Sequence, residues 1–168
     1  MELLGQIGKR KIYYTQVRNN SSWKNSLPKN NWIAFTISNN EDEELIPSAV
    51  NVILDKNIIY ACNSGEFASK AEDYFLEEIS WRNIQIHEKT GEEINYENSP
   101  MTSTHRNFSE GFWFASTLAS NGEIESDKVV CIDFTKRKVK KNLSNLIEKI
   151  NNDWLPSDED VELVKFDS

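Results

Sequence analysis

Cysteine and histidine are nearly absent: two of each occur in 168 residues, and they stand far apart. Cys62 and Cys131 lie in apolar, β-branched runs, Ile-Ile-Tyr-Ala-Cys and Val-Val-Cys-Ile. Such a pair does not make a secreted disulfide framework, and the spacing does not suit zinc, so buried thiols are expected. Glycine and proline are also scarce, with six and four residues. Neither a G-x-G-x-x-G sequence nor a Walker sequence is present, which removes the usual phosphate-cradling loops. No apolar run approaches the roughly 20 residues that cross a bilayer. The apolar stretch within residues 1–10 is too short for a signal peptide. The expectation is a cytoplasmic chain without membrane contact, metal or cofactor.

Positive charge is the other shortage. Nineteen basic residues face 27 acidic ones, a formal net charge of −8. The imbalance is local. Residues 41–97 carry fourteen acids and four bases, and residues 153–168 carry six acids and one lysine. Residues 1–29 run the other way, with six bases and one acid, and residues 136–141 form the one dense basic run. A broad acidic field repels phosphates, so nucleic acid is not expected as a ligand, whereas a basic protein partner is.

What remains is ample for a core. A chain of this length buries about 70% of its unfolded surface, and five Trp and eight Phe are there to fill the interior. Four compact apolar runs read as strands: residues 32–37, 58–62, 101–104 and 128–134. Residues 11–17 suggest a short edge strand in an otherwise loosely packed N-terminal extension, residues 1–30. Helical patterns follow each of the four. Pro47 opens one over residues 48–55, where its missing N–H is harmless. Ala68, Ala71, Phe75 and Ile79 mark the inner face of a second, residues 67–84. Asn107, three residues ahead of Glu110, has the form of a capping box for a third, to about residue 119. Val139, Leu143, Leu146, Ile147, Ile150 and Trp154 stripe a fourth, before an acidic tail over residues 155–168.

Strand–helix alternation with nearly continuous apolar strands predicts a single α/β domain over residues 1–168. Its architecture is three-layered: a mostly parallel, twisted sheet of four to five strands with helices on both faces, Rossmann-like but without the dinucleotide motif.

Ligands gather beyond the carboxyl ends of such strands. The residues there include Asn63, Ser64, Gly65, His105 and Arg106, a candidate cleft for a small polar or anionic ligand. His105 would be its general base and Ser64 or Cys62 its nucleophile, though no third orienting group is visible from spacing. Asp133, a carboxylate inside an apolar strand, should sit at a strand end, find a partner or titrate abnormally. The second candidate is acidic: Glu41, Asp42, Glu43 and Glu44 in one run, and Glu72, Asp73, Glu77 and Glu78 on a helix. Adjoining faces of that kind would steer a basic partner.

The segments Tyr60-Ala61-Cys62-Asn63-Ser64-Gly65 and Met101-Thr102-Ser103-Thr104-His105, with Glu110-Gly111-Phe112-Trp113-Phe114, resemble an uncharacterised bacterial family. Its pattern has Cys and then Trp-Gly after one strand, and Met-Thr-Thr-Trp-His before a helix. This chain has Ser64 and Thr104 where that pattern has Trp. The resemblance implies a domain and no activity. In overall type the chain is similar to bacterial immunity proteins, which are small, acidic and without chemistry of their own. The function expected from these features is non-catalytic: an immunity protein that binds the C-terminal domain of a toxin, monomeric or weakly dimeric when free. The alternative is a small-molecule-binding protein or cryptic enzyme using the cleft near Ser64 and His105.

Overall fold

A computed structural model describes residues 1–17, 22–94, 96–135 and 137–157. Its centre is one six-stranded mixed sheet: β1 (Glu2–Ile7), β2 (Arg10–Gln16), β3 (Trp32–Ile37), β4 (Ile58–Ser64), β5 (Met101–His105) and β6 (Lys128–Asp133). The spatial order is β1-β2-β6-β3-β4-β5, with β1 antiparallel to β2 and every other pairing parallel. The helices are α1 (Ser22–Ser26), α2 (Ile46–Leu54), α3 (Ala68–Thr90), α4 (Phe108–Thr117) and α5 (Val139–Asn151).

Two expectations need correction. The sheet has six strands rather than four to five, and the described residues within 1–30 are packed into the fold rather than loose. β2 is an inner strand, hydrogen-bonded to β6 on one side and to β1 on the other. Gly8, at φ 54°, opens the two-residue turn that folds β1 back onto β2. Ile7, Ile12, Val17, Trp23 and Leu27 are all buried. The acidic tail beyond residue 157 lies outside the described residues.

Alternation along the strands sends side chains to two cores. Ile33, Phe35 and Ile37 of β3 face α4 and α5, with Phe112 and Leu143 among their partners. Trp32 and Ala34 face α1, α2 and α3, against Trp23, Ile53 and Phe75. The parallel strands are buried on both sides, as their unbroken apolar runs require. Arg10 ties the layers at one end: its guanidinium is buried and donates to the Ala115 carbonyl at 2.9 Å and the Ala119 carbonyl at 2.6 Å, stopping the end of α4.

The caps follow the sequence closely. Asn107 accepts the Glu110 N–H at 3.1 Å, and Pro47 sits in the first turn of α2. α3 runs on to Thr90, where Gly91 takes the left-handed conformation at φ 70°. α4 has no Cβ at Gly111 because one would lie 2.7 Å from the Cβ of His105. That close approach lets α4 lie against the end of β5. No helix among the described residues is long and apolar enough to cross a membrane.

Candidate functional site

β3 and β6 are neighbours, yet the chain leaves β3 for α2 on one face and β6 for α5 on the other. In open α/β sheets a junction of this kind places ligands beyond the carboxyl ends of the strands. Register puts one row of residues there: Gln16, Asp133, Ile37, Ser64 and His105 are successive partners across five parallel strands. All point to the α4–α5 side, as Ile37 does. Ser64 and His105 are therefore brought together as the sequence suggested, and Asp133 joins their row two strands away. Arg106 is exposed at the rim.

Adjacency does not make a catalytic pair. The His105 Nε2 lies 2.9 Å from the Ser103 hydroxyl, and its ring packs 5.0 Å from Phe114. Burial pulls the imidazole pKa down, against the opposing pull of Glu110 and Glu72, which favours the neutral ring. Cys62 is buried and its thiol is pushed up to about 12 by desolvation, so it supplies no thiolate. Asn63 is structural. Its carboxamide accepts the Thr36 hydroxyl at 2.6 Å and donates to the Ser103 carbonyl at 3.2 Å, bridging three strands. Gly65, at φ 101°, lets the end of β4 pass against the backbone of Ser38. The hydroxyls of Ser38 and Ser64 and the side-chain oxygen of Asn39 are buried without a hydrogen bond among the described residues.

Asp133 is wholly buried. It accepts the Tyr14 hydroxyl at 2.7 Å, the Thr135 N–H at 2.8 Å and the Thr135 hydroxyl at 2.7 Å. Desolvation nevertheless raises its pKa to about 6, with Asp42 adding to the rise. Its partners are thus neutral donors. No group of three His, Cys, Asp or Glu side chains that would suit a metal occurs among the described residues.

The acidic candidates separate into three kinds. Asp42 is no surface group: it is buried, and its carboxylate accepts the Asn39 N–H at 2.8 Å to fix the 3₁₀ turn Asn40–Leu45. Glu72 and Glu78 are committed to the fold. Glu72 accepts the hydroxyls of Thr102 and Thr104 at 2.9 and 2.5 Å, clasping α3 to β5. Glu78 pairs with Arg82 at 2.8 Å, and Arg82 also reaches Asp55 at 2.9 Å. Glu41, 3.8 Å from Arg137, is exposed, as are Glu43, Glu44, Asp73 and Glu77.

One residue passed over in the sequence belongs with the exposed acids. Asp73, Glu77, Trp81, Ile84 and Glu88 fall four, four, three and four apart, on a single outward ridge of α3. Trp81 is 55% exposed at its centre. The signal was legible: Trp81 falls off the stripe set by Ala68, Ala71, Phe75 and Ile79.

Residues 12–150 match DUF7684, a domain of unknown function. The chain belongs to that family. The DUF7684 match begins within β2 and ends within α5, so it takes in β3 to β6 and α1 to α4 whole, with most of β2 and α5. The segments Tyr60–Gly65 and Met101–Phe114, which carried the resemblance to an uncharacterised family, lie within the match. Comparison with curated proteins finds no match, and neither does comparison with solved structures.

Proposed function

We propose that this DUF7684 chain is a non-catalytic binding protein whose partner is a basic protein domain, specifically the toxin domain that an immunity protein masks in the cytoplasm of its producer. The observation that carries the reading is the outer ridge of α3. A half-exposed Trp81, with Ile84 beside it, is bracketed by Asp73, Glu77 and Glu88. Large aromatic anchors surrounded by charge are what protein interfaces concentrate their energy in. At about 1.5 Å per residue, the 23 residues of α3 span about 34 Å, enough to hold one side of a standard interface. The acids speed encounter with a basic surface while Trp81 holds the complex. A doubly wound, Rossmann-like scaffold suits this role because its rigid helices present fixed ridges.

The test is binding to the C-terminal domain of a toxin encoded beside this gene. Trp81→Ala should weaken the complex at least tenfold, about 1.4 kcal/mol, mainly through faster dissociation. Asp73→Lys with Glu77→Lys should slow association and flatten its salt dependence. Wild-type affinity in both variants would reject α3 as the docking ridge. Glu72 and Glu78 are unsuitable probes, because their substitution would disturb α3 itself.

A second reading is favoured by the three buried, unpartnered oxygens of Ser38, Asn39 and Ser64: a small polar ligand at the carboxyl edge of the sheet. A metabolite screen by thermal shift tests it. A ligand whose stabilising effect vanishes in Ser64→Ala would support it, and a screen without any shift would reject it.

A further inference from the structure

At the amino ends of β3, β4 and β5, opposite the edge described above, the fold leaves a cleft of about 290 Å³. The buried floor is aliphatic, from Leu54, Ile58, Ile59 and Ile79, and Ile124 is exposed at the edge. The rim is a ring of carboxamides: Asn31, Asn57, Asn83, Asn98 and Asn121. The one charged lining residue is Arg82, and its guanidinium is already neutralised by Glu78 and Asp55 at 2.8 and 2.9 Å.

Two of the carboxamides stand on left-handed turns, and two others are oriented by hydrogen bonds. Asn31 and Asn57 take left-handed conformations at φ 51° and 48°, and the Asn31 N–H donates to the Asn57 carbonyl at 3.0 Å. Asn83 donates to the Ser99 hydroxyl at 2.9 Å and Asn121 to the Ser99 carbonyl at 2.8 Å, which orients both amides. The side chains of Asn31, Asn57 and Asn98 make no hydrogen bond among the described residues. At the inner wall β4 is irregular. Its pairing with β3 slips between Trp32 and Ile33, so Ile59 is the extra residue, and β5 does not pair with β4 until Tyr60. A bulge of this kind commonly stands beside a site.

The geometry points to a binding site for an uncharged nucleobase. Arg82, already held by two carboxylates, leaves no free counter-charge in the lining for a phosphate, which favours an uncharged ligand. Each carboxamide offers an acceptor and donors side by side, the pattern that pairs with the donor–acceptor edge of a purine or pyrimidine. The aliphatic floor takes the flat face of the ring. The volume lies at the lower limit of small-molecule pockets, so a one- or two-ring molecule fits and a larger cofactor does not.

The test uses the full chain with adenine, hypoxanthine, cytosine and uracil at millimolar concentration, followed by thermal shift and amide NMR. At a tenfold excess over Kd, the bound base should raise Tm by about 3 °C or more, with saturable shifts confined to the residues around the cleft. Adenosine monophosphate should bind at least tenfold more weakly than adenine. The double variant Asn31→Gly and Asn57→Gly keeps the left-handed turns that glycine prefers and should lose at least tenfold in affinity. Asn98→Ala, on an exposed turn, is the second variant and should also bind more weakly. Absence of any base-dependent shift would overturn the proposal. So would shifts scattered over the surface, tighter binding of the nucleotide, or unchanged affinity in both variants.

Discussion

Gly65→Ala will destabilise the protein by at least about 3 kcal/mol, and by more than a glycine substitution at an ordinary turn, because backbone strain and a fixed clash act at the same atom. Gly65 has φ 101°, outside the region that side-chain-bearing residues readily adopt. A Cβ there would stand 2.1 Å from the Ser38 carbonyl oxygen and 3.1 Å from its carbonyl carbon and nitrogen. The obstacle is main chain and cannot rotate away. Ser38 N donates to the Ser64 carbonyl at 3.0 Å, and Ser38 O accepts the Phe67 N–H at 3.2 Å, so retreat would break the link between β3, β4 and the start of α3. For a domain of this size the Tm should fall by about 6–12 °C. Gly8→Ala and Gly91→Ala are the controls. Both have positive φ but open space where a Cβ would go, and each should cost about 1 kcal/mol. Denaturant midpoints for the three variants decide the matter: if Gly65→Ala costs no more than the controls, the close approach of Ser38 does not constrain the fold.

The strands that were legible from sequence are those with no polar face. β3, β4 and β6 are buried on both sides, so each reads as an unbroken apolar run. β1 was missed because Glu-Leu-Leu-Gly-Gln-Ile alternates poorly and contains a glycine, and because its pairing depends on the turn at Gly8 and not on its own composition. With β1 missing, β2 had to look like an edge. The apolar stripe marks the buried half of α3, and the helix it predicts ends at Ile84, six residues short of Thr90. Beyond Ile84 its turns are solvent-facing and carry no stripe, and only the Gly91 C-cap marks where it ends.

The sites divide along the same line. Periodicity located the strand ends, so Ser64 and His105 were expected to be neighbours and are. The hydrogen-bond partner of His105 is Ser103, two residues away on the same strand, a choice of rotamer that no spacing reveals. Charge counting found the acids, and it could not tell Asp42, folded inward as a backbone acceptor, from Glu43 beside it. Nor could it see that Glu72 would find two threonine hydroxyls on β5, 30 and 32 residues along the chain. The asparagine rim was invisible for a different reason. Its members come from five separate turns and helices, and asparagine in a turn normally signals only the turn.

Asp133 should give the protein an unusual dependence on pH, detectable by comparison with Asp133→Asn. Its carboxyl is held at about 6 in the folded state against 3.8 for the free group. The folded protein therefore binds the proton more tightly than the unfolded chain does. That contribution to stability is fully present below pH 3.8 and is lost as the pH rises through about 6. At about 1.4 kcal/mol per pH unit the whole effect is ~3 kcal/mol, of which about 2 kcal/mol falls between pH 4.5 and 7.5. His105 works in the opposite direction: its lowered pKa removes stability as the pH falls through its own range. Wild type alone would mix the two. The difference between wild type and Asp133→Asn isolates the carboxyl, because asparagine keeps an acceptor for Thr135 and sets a donor against the Tyr14 oxygen without titrating. The variant should gain on wild type by about 2 kcal/mol from pH 4.5 to 7.5 in urea titrations. A difference that stays flat, or that favours wild type as the pH rises, would mean that Tyr14 and Thr135 stabilise the anion enough to outweigh its burial.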